Sequence, residues 1–262
     1  MHNPRIYGTP PYDVAVIHGG PGAGGEMAPV ASELASKRGV LEPIQTAVSL
    51  QGQIDELRDL LRQHANLPVT LVGYSWGAWL SYLLAAYHPD LVQKLILVSS
   101  GPFEPQYVSA LSETRLARLS PTEQTQWQQT IAQLEDPTTP DKDAALARLG
   151  ALASKTDAYD PLPCESQEED RAGPRGDIFQ SVWHAAAQMR EDGSLLKLAH
   201  QIRCPIVAIH GDYDPHPAEG VERPLRAILS DFQFVLLEHC GHTPWLERQA
   251  KDRFYRALRE AL

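Results

Sequence analysis

The sequence predicts an α/β fold: a mostly parallel, doubly wound sheet with a helical cap inserted into it. Three observations carry that prediction. Short apolar strands alternate with helices as far as Ser99. The stretch Leu71-Val72-Gly73-Tyr74-Ser75-Trp76-Gly77-Ala78 reads as a strand, a sharp turn and a helix. From Gly101-Pro102 to about Gly193 the pattern turns helical, and strands resume only afterwards. The 262 residues, 43% of them hydrophobic, suit one large domain carrying an insertion. The expected division is a core of residues 1–101 and 194–262 and a cap of residues 102–193.

The first strand is expected at Asp13–Ile17, apolar enough to be covered on both faces. It runs into the glycine-rich loop His18-Gly19-Gly20-Pro21-Gly22-Ala23-Gly24-Gly25. A helix follows from about Met27 to Arg38, with Gly39 closing it, and then a strand over Val40–Ile44. Ser49 can cap a helix to Ala65, with Leu50, Ile54, Leu57 and Leu61 on one face. The strand Val69–Val72 feeds a helix from Trp76 to about Tyr87, which His88-Pro89 ends. Lys94–Ser99 is the next strand. In the cap, helices are expected near Tyr107–Leu119, Pro121–Leu134, Asp141–Leu152 and Asp177–Met189, with a polar loop between Tyr159 and Gly176. Strands return at Pro205–His210 and Phe232–Leu237. Thr243-Pro244 is expected to open the last helix, with proline at its first position.

Net charge is −10 and no basic patch stands out, which argues against nucleic acid as a partner. No apolar run approaches a membrane helix, and the first residues lack the apolar core of a signal peptide. Cys164, Cys204 and Cys240 are odd in number and lack metal-type spacing, as expected of small buried residues in a reducing compartment. A soluble, cytoplasmic protein without membrane contact is expected; oligomeric state is left open.

Gly73-Tyr74-Ser75-Trp76-Gly77 matches G-x-S-x-G, in which the turn forces the serine into a strained conformation and exposes its hydroxyl at a helix N-terminus. Side chains at the two glycine positions would collide with strand or helix. A serine hydroxyl needs a base, and the base an orienting carboxylate. His210-Gly211-Asp212-Tyr213-Asp214-Pro215 offers the carboxylate just past a strand, and His242 follows the last strand. Ser75, Asp214 and His242 stand in the order this elbow requires, each after a strand, so all three can meet at one sheet edge. The oxyanion of an acyl transition state needs two N–H donors. Trp76 supplies one as the residue after the nucleophile. The loop after the first strand supplies the other; Pro21 has no N–H, which selects Gly20.

Two other readings use the same residues. Gly20 to Gly25 also matches G-x-G-x-x-G after a strand, with Glu42 where a ribose-binding acid belongs, so a dinucleotide-binding oxidoreductase is the alternative from another class. It leaves Ser75, Asp214 and His242 unexplained. His210, Asp212, Asp214 and His216 alternate near His239, but Gly211 and Pro215 already turn the chain, and no metal site is expected.

Over almost the whole chain outside the cap, these residues resemble the α/β-hydrolase fold superfamily. His18-Gly19-Gly20-Pro21-Gly22 with the Gly73-x-Ser75-Trp76-Gly77 elbow looks most like its proline iminopeptidase branch. The resemblance implies Ser75 as nucleophile, Asp214 as acid, His242 as base and Gly20 with Trp76 as oxyanion donors. It favours Asp214 over Asp212, because the acid of relatives is usually the third residue after the glycine ending this strand. Epoxide hydrolases and haloalkane dehalogenases share the fold but use an aspartate nucleophile, which Ser75 argues against. The chain departs from the family in two ways: two further N-terminal strands are usual, and the cap carboxylates that anchor a peptidase's substrate amine do not map onto this cap. The expectation is a serine hydrolase of a small ester, amide or related acyl bond, without cofactor. An iminopeptidase-like aminopeptidase is the alternative, and a non-catalytic receptor on the same fold is more remote. Aromatic residues of the cap (Phe103, Tyr107, Trp127, Tyr159, Phe179, Trp183) are available to line an apolar acyl pocket, although at helical spacing most are expected to be core of the cap. The apolar pocket is favoured because most glutamates of the helical stretches stand beside other polar residues. Its glutamates (Glu104, Glu113, Glu123, Glu135, Glu165, Glu168, Glu169) are expected to be solvated.

Overall fold

A computed structural model describes residues 2–163 and 173–262. Among the described residues seven strands form one sheet in the order β1-β3-β2-β4-β5-β6-β7. They are β1 (Arg5–Tyr7), β2 (Tyr12–Ile17), β3 (Gly39–Glu42), β4 (Val69–Tyr74), β5 (Val92–Val98), β6 (Ile206–Gly211) and β7 (Phe232–Leu237). All neighbours run parallel except β1, which pairs antiparallel with β3 through Arg5↔Glu42 and Tyr7↔Val40.

Alternating side chains divide the sheet between two cores. Val14, Val16, Val72, Ile96 and Ile209 face one side, where α1 (Ala28–Leu34) and the last helix pack with Val30, Leu34, Phe254 and Leu258. Ala15, Ile17, Leu71, Leu95 and Leu97 face the other, under α2 (Leu50–His64) and α3 (Trp76–Tyr87). Ser49 caps α2 by accepting from the Gly52 N–H at 3.1 Å. Helix α3 is buried along nearly all its length, as expected of an apolar helix at the centre of a doubly wound sheet.

Between β5 and β6 lie α4 (Val108–Ala117), α5 (Pro121–Glu135), α6 (Lys142–Asp157), α7 (Gly176–Glu191) and the single turn α8 (Ser194–Lys197). A full capping box, Ser120 with Glu123, opens α5, and Asp141 caps α6. Leu134, Ala145, Leu146 and Leu149 build a small core among these helices. Ile178, Val182 and Ala186 of α7 instead join the α3 side of the main core. The insertion touches the loops beyond the strands' carboxyl ends. The Arg175 N–H donates to the Gly22 carbonyl, Ser181 Oγ to the Val48 carbonyl, and the His242 N–H to the Asp157 carbonyl.

Several expectations need correction. An edge strand, β1, precedes the one expected first, so the chain is less shortened than its sequence suggested. Gly39 opens β3 rather than closing α1, which ends at Leu34; a Cβ there would collide with the Thr9 and Pro11 carbonyls. Thr243-Pro244 starts only one 3₁₀ turn, Pro244–Leu246. The chain is extended again at Glu247, and the last helix, α10, is Lys251–Ala261, with α9 (Glu219–Ile228) before β7. Pro224 inside α9 cannot donate to the Gly220 carbonyl, and the Phe103 N–H fills that place at 2.9 Å. In the insertion α6 runs past Leu152 to Asp157. Cys164 and the acidic run of Glu165, Glu168, Glu169 and Asp170 lie outside the described residues.

Candidate active site

Ser75 sits between β4 and α3 at φ 51°, ψ −112°, a conformation an L-residue adopts only under constraint. The constraint is close packing on both sides. A Cβ on Gly73 would strike the Gly77 carbonyl, and one on Gly77 would strike the Ile17 and His18 carbonyls. The two glycines therefore let β2, β4 and α3 approach around the serine.

His242 lies beyond β7, and its Nε2 is 3.0 Å from Ser75 Oγ. Its Nδ1 is 2.7 Å from Asp214 Oδ2, beyond β6. Burial pushes the Asp214 carboxyl up, but the surrounding histidines outweigh it and hold it well below the ordinary carboxylate value. As a carboxylate it can only accept, so His242 Nδ1 carries the proton and Nε2 presents a lone pair to the serine hydroxyl. Burial also lowers the His242 pKa, yet the charge of Asp214, its hydrogen bond and the Asp157 charge leave it above 6.5. Asp212 points elsewhere, accepting from the Cys240 N–H at 3.2 Å.

The imidazole is fixed from several sides. Tyr74 lies 5.1 Å from it, stands edge-on to Trp245, and shares a hydrogen bond with Thr243. The buried Glu247 carboxylate accepts the N–H groups of Tyr159, Asp160 and Gly241, tying the end of the insertion to the His242 loop. Asp157, buried at the end of α6, is held bidentately by Arg115 of α4. Burial alone would raise its pKa, but Arg115 reverses the shift and keeps it ionised.

The glycine-rich loop is equally ordered. His18 is fully buried, and burial lowers its pKa to about 4. Its Nδ1–H donates to the Gly19 carbonyl and its Nε2 accepts the Gln45 N–H, so it is neutral and clamps the loop to the chain after β3. Gly19 donates its own N–H to Glu26 at 2.7 Å and is thereby engaged. Gly20 follows at φ 40°, while the Trp76 N–H opens α3 without a partner inside the helix.

The residues of the two other readings are also in place. Glu42 is buried at the sheet edge, accepting from Tyr7 at 2.7 Å and Arg5 at 3.4 Å, which turns it toward β1 rather than a ribose site. Asp214, His216 and His242 bring ligand-type atoms within 4.8 Å of one another. Both Asp214 oxygens, however, already accept N–H groups, from His216 and from His242, so a metal there would have to displace these bonds. His239 instead packs against Tyr159.

Of the insertion's six aromatic residues only Phe103 is fully buried, against Trp79 and Tyr82. Tyr107, Trp127, Phe179 and Trp183 are half-buried, and Phe179 and Trp183 line a cavity with Ile131 and Leu134. Tyr107 packs by Gly220, Trp127 near Arg115, and the exposed Tyr159 on Tyr213. Phe179 and Trp183 stack in line with Trp79. Of the insertion's glutamates that lie among the described residues, none is buried, and Glu123 is spent on Ser120 and Lys155. His18, Glu26, Asp157 and Glu247 escaped the sequence reading of site-supporting roles. His18 and Glu26 flank the glycine loop and offered some signal; Asp157 and Glu247 offered none.

Residues 42–249 match the family model of the alpha/beta hydrolase fold. The chain belongs to that family. It is a hydrolase, and over 95% of its length it is 27% identical to a pimeloyl-[acyl-carrier protein] methyl ester esterase of Chromobacterium violaceum, covering 94% of that protein. Among solved structures, VinJ superimposes with a TM-score of 0.67 at 20% identity, over 98% of this chain and 93% of that one. Est816, described as an N-acyl homoserine lactone degrading enzyme, gives 0.64 at 16% identity, over 99% and 96%. At such identities these structures speak for the alpha/beta hydrolase fold alone. The curated relative is an esterase, and the iminopeptidase branch finds no support among these relatives.

Proposed function

We propose that this alpha/beta hydrolase cleaves a small-molecule acyl ester through an acyl-enzyme on Ser75. The observation that carries the proposal is the hydrogen-bonded line from Ser75 through His242 to Asp214. Ser75 Oγ attacks the carbonyl carbon while His242 Nε2 takes its proton, and Asp214 holds the imidazole in the required tautomer. The oxyanion is received by the Gly20 and Trp76 N–H groups, a choice supported by the engagement of Gly19 with Glu26. His242 returns the proton as the bond to the leaving alcohol breaks. Water, deprotonated by His242, then hydrolyses the acyl-enzyme. Every step uses groups of this chain, and the reading calls for no cofactor, no nucleic-acid partner and a cytoplasmic setting.

Residues 102–193 act in this reading as a cap over the site, and the core comprises 1–101 and 194–262. The contacts of the insertion with the Gly22, Val48 and His242 loops support it. An ester ranks before an amide because the curated relative is a methyl ester esterase. An aminopeptidase needs an inward carboxylate for the substrate ammonium. The buried Asp157 is already neutralised by Arg115, the buried Glu247 is taken up by three backbone N–H groups, and the described glutamates of the insertion are not buried, which weighs against that alternative. The test compares p-nitrophenyl acetate and butyrate with prolyl and alanyl amides at matched enzyme concentration. Ester turnover should dominate. Efficient amide cleavage that requires a free α-amino group, with little ester turnover, would instead establish the aminopeptidase.

A further inference from the structure

Asp214 serves two imidazoles, not one. On the His242 side, Oδ2 is 2.7 Å from Nδ1. On the opposite side, Oδ1 takes the backbone N–H of His216 at 2.9 Å and the His216 Nδ1 at 2.8 Å. The two rings stack, with centroids 4.4 Å apart and planes inclined by 23°. His216 is buried. Its carbonyl is pinned by His210 Nε2 at 2.8 Å, so the loop carrying the second imidazole is itself held to β6. The site described above needs only one histidine on this carboxylate.

We propose that His216 is a positioning residue for the hydrolytic base: its Nδ1–H, donated to Asp214 Oδ1, restrains how strongly the carboxylate pulls on His242. This rests on Ser75, His242 and Asp214 being the hydrolytic machinery. A hydrogen bond to a charged group draws on the same negative charge that stabilises the imidazolium across the carboxylate. A carboxylate with one donor fewer attracts the His242 proton more strongly. The donor also keeps Asp214 turned with one oxygen toward each ring. Burial keeps His216 neutral, lowering its pKa to about 4, so it donates without adding a cation beside His242. The other groups facing the pair are Tyr74 from β4, His210 from β6, Arg115 from α4 and Asp157 from α6. None of them touches Oδ1 among the described residues, which leaves the His216 donors as the ones that act there.

Two substitutions separate donor from ring. His216→Phe keeps a ring to stack on His242 and removes the donor. His216→Asn removes the ring but places an amide N–H where Nδ1 stood. The readout is the pH profile of kcat/KM for p-nitrophenyl butyrate. The acid limb of His216→Phe should move up by about half to one pH unit, which corresponds to roughly 0.7–1.4 kcal/mol, with the alkaline plateau kept. His216→Asn should stay near the wild-type profile. A His216→Phe profile that superimposes on wild type, or equal shifts in both variants, would overturn the role of the donor. The unsubstituted protein gives a second measurement that needs no variant to fold. Imidazole ¹⁵N spectra should show His216 neutral with the proton on Nδ1 from about pH 6 upward, as a group with a pKa of about 4 requires; a proton on Nε2 instead would contradict the proposal. Activity that survives Ser75→Ala would defeat the underlying reading of the site, whereas Ser75-dependent activity with an unmoved profile would defeat only the part given to His216.

Discussion

At the scale of single residues, Asp214 and Asp212 are chemically alike and sit two residues apart in one turn, yet only Asp214 reaches His242. Asp214→Asn is expected to lower kcat by roughly 10⁴-fold, because the amide no longer orients the imidazole. Asp212→Asn should cost less than about 10-fold, since it loses one turn hydrogen bond; steady-state kinetics on both variants checks the ranking. The pH dependence follows from His242. Its conjugate acid is stabilised, so its pKa lies above 6.5, and the neutral base disappears as pH falls through that raised value. The acid limb of kcat/KM should accordingly have its midpoint above 6.5. Ser75, Asp214 and His242 were legible because each is announced by its place after an apolar strand. Asp157 and Glu247 were not. Their roles depend on contacts with Arg115 on one hand and with Tyr159, Asp160 and Gly241 on the other, and nothing in the local spacing marks those partners.

At the scale of elements, hydrophobic period and turn chemistry sufficed for the parallel strands, for the Ser49-capped helix and for the existence of the inserted helices. They failed where a tertiary partner overrides a local signal. No helix is expected from the sequence over Glu219–Ile228, yet α9 forms there and tolerates Pro224 because the Phe103 N–H satisfies the orphaned carbonyl. Thr243-Pro244 looks like a helix start, but the following Glu247 is drawn into the loop that carries His242. Three N–H groups converge on that one buried carboxylate. Glu247→Gln replaces one accepting oxygen by a donor and should destabilise the fold by about 1–3 kcal/mol. The midpoint of urea unfolding should fall accordingly, with kcat reduced as the His242 loop loosens.

At the scale of the molecule, the sheet separates two cores, and the insertion is stitched into one of them. Ile178, Val182 and Ala186 of α7 share a core with α3, and Trp183 stacks on Trp79 at 5.6 Å. Heat or urea should therefore unfold the insertion together with the sheet in a single transition, seen alike by tryptophan fluorescence and far-ultraviolet circular dichroism. A separate early transition reported by fluorescence alone would show the insertion to be independent. The same arrangement brings the carboxyl ends of β2, β4, β6 and β7 to one edge, where the glycine loop, Ser75, Asp214 and His242 meet. The claim at the centre of this account is that Ser75 is the nucleophile, and the most direct measurement is covalent labelling. A fluorophosphonate probe should add its mass to the proteolytic peptide containing Ser75, with labelling and ester turnover both lost in folded Ser75→Ala. An adduct on any other residue, or labelling that persists in Ser75→Ala, would contradict it.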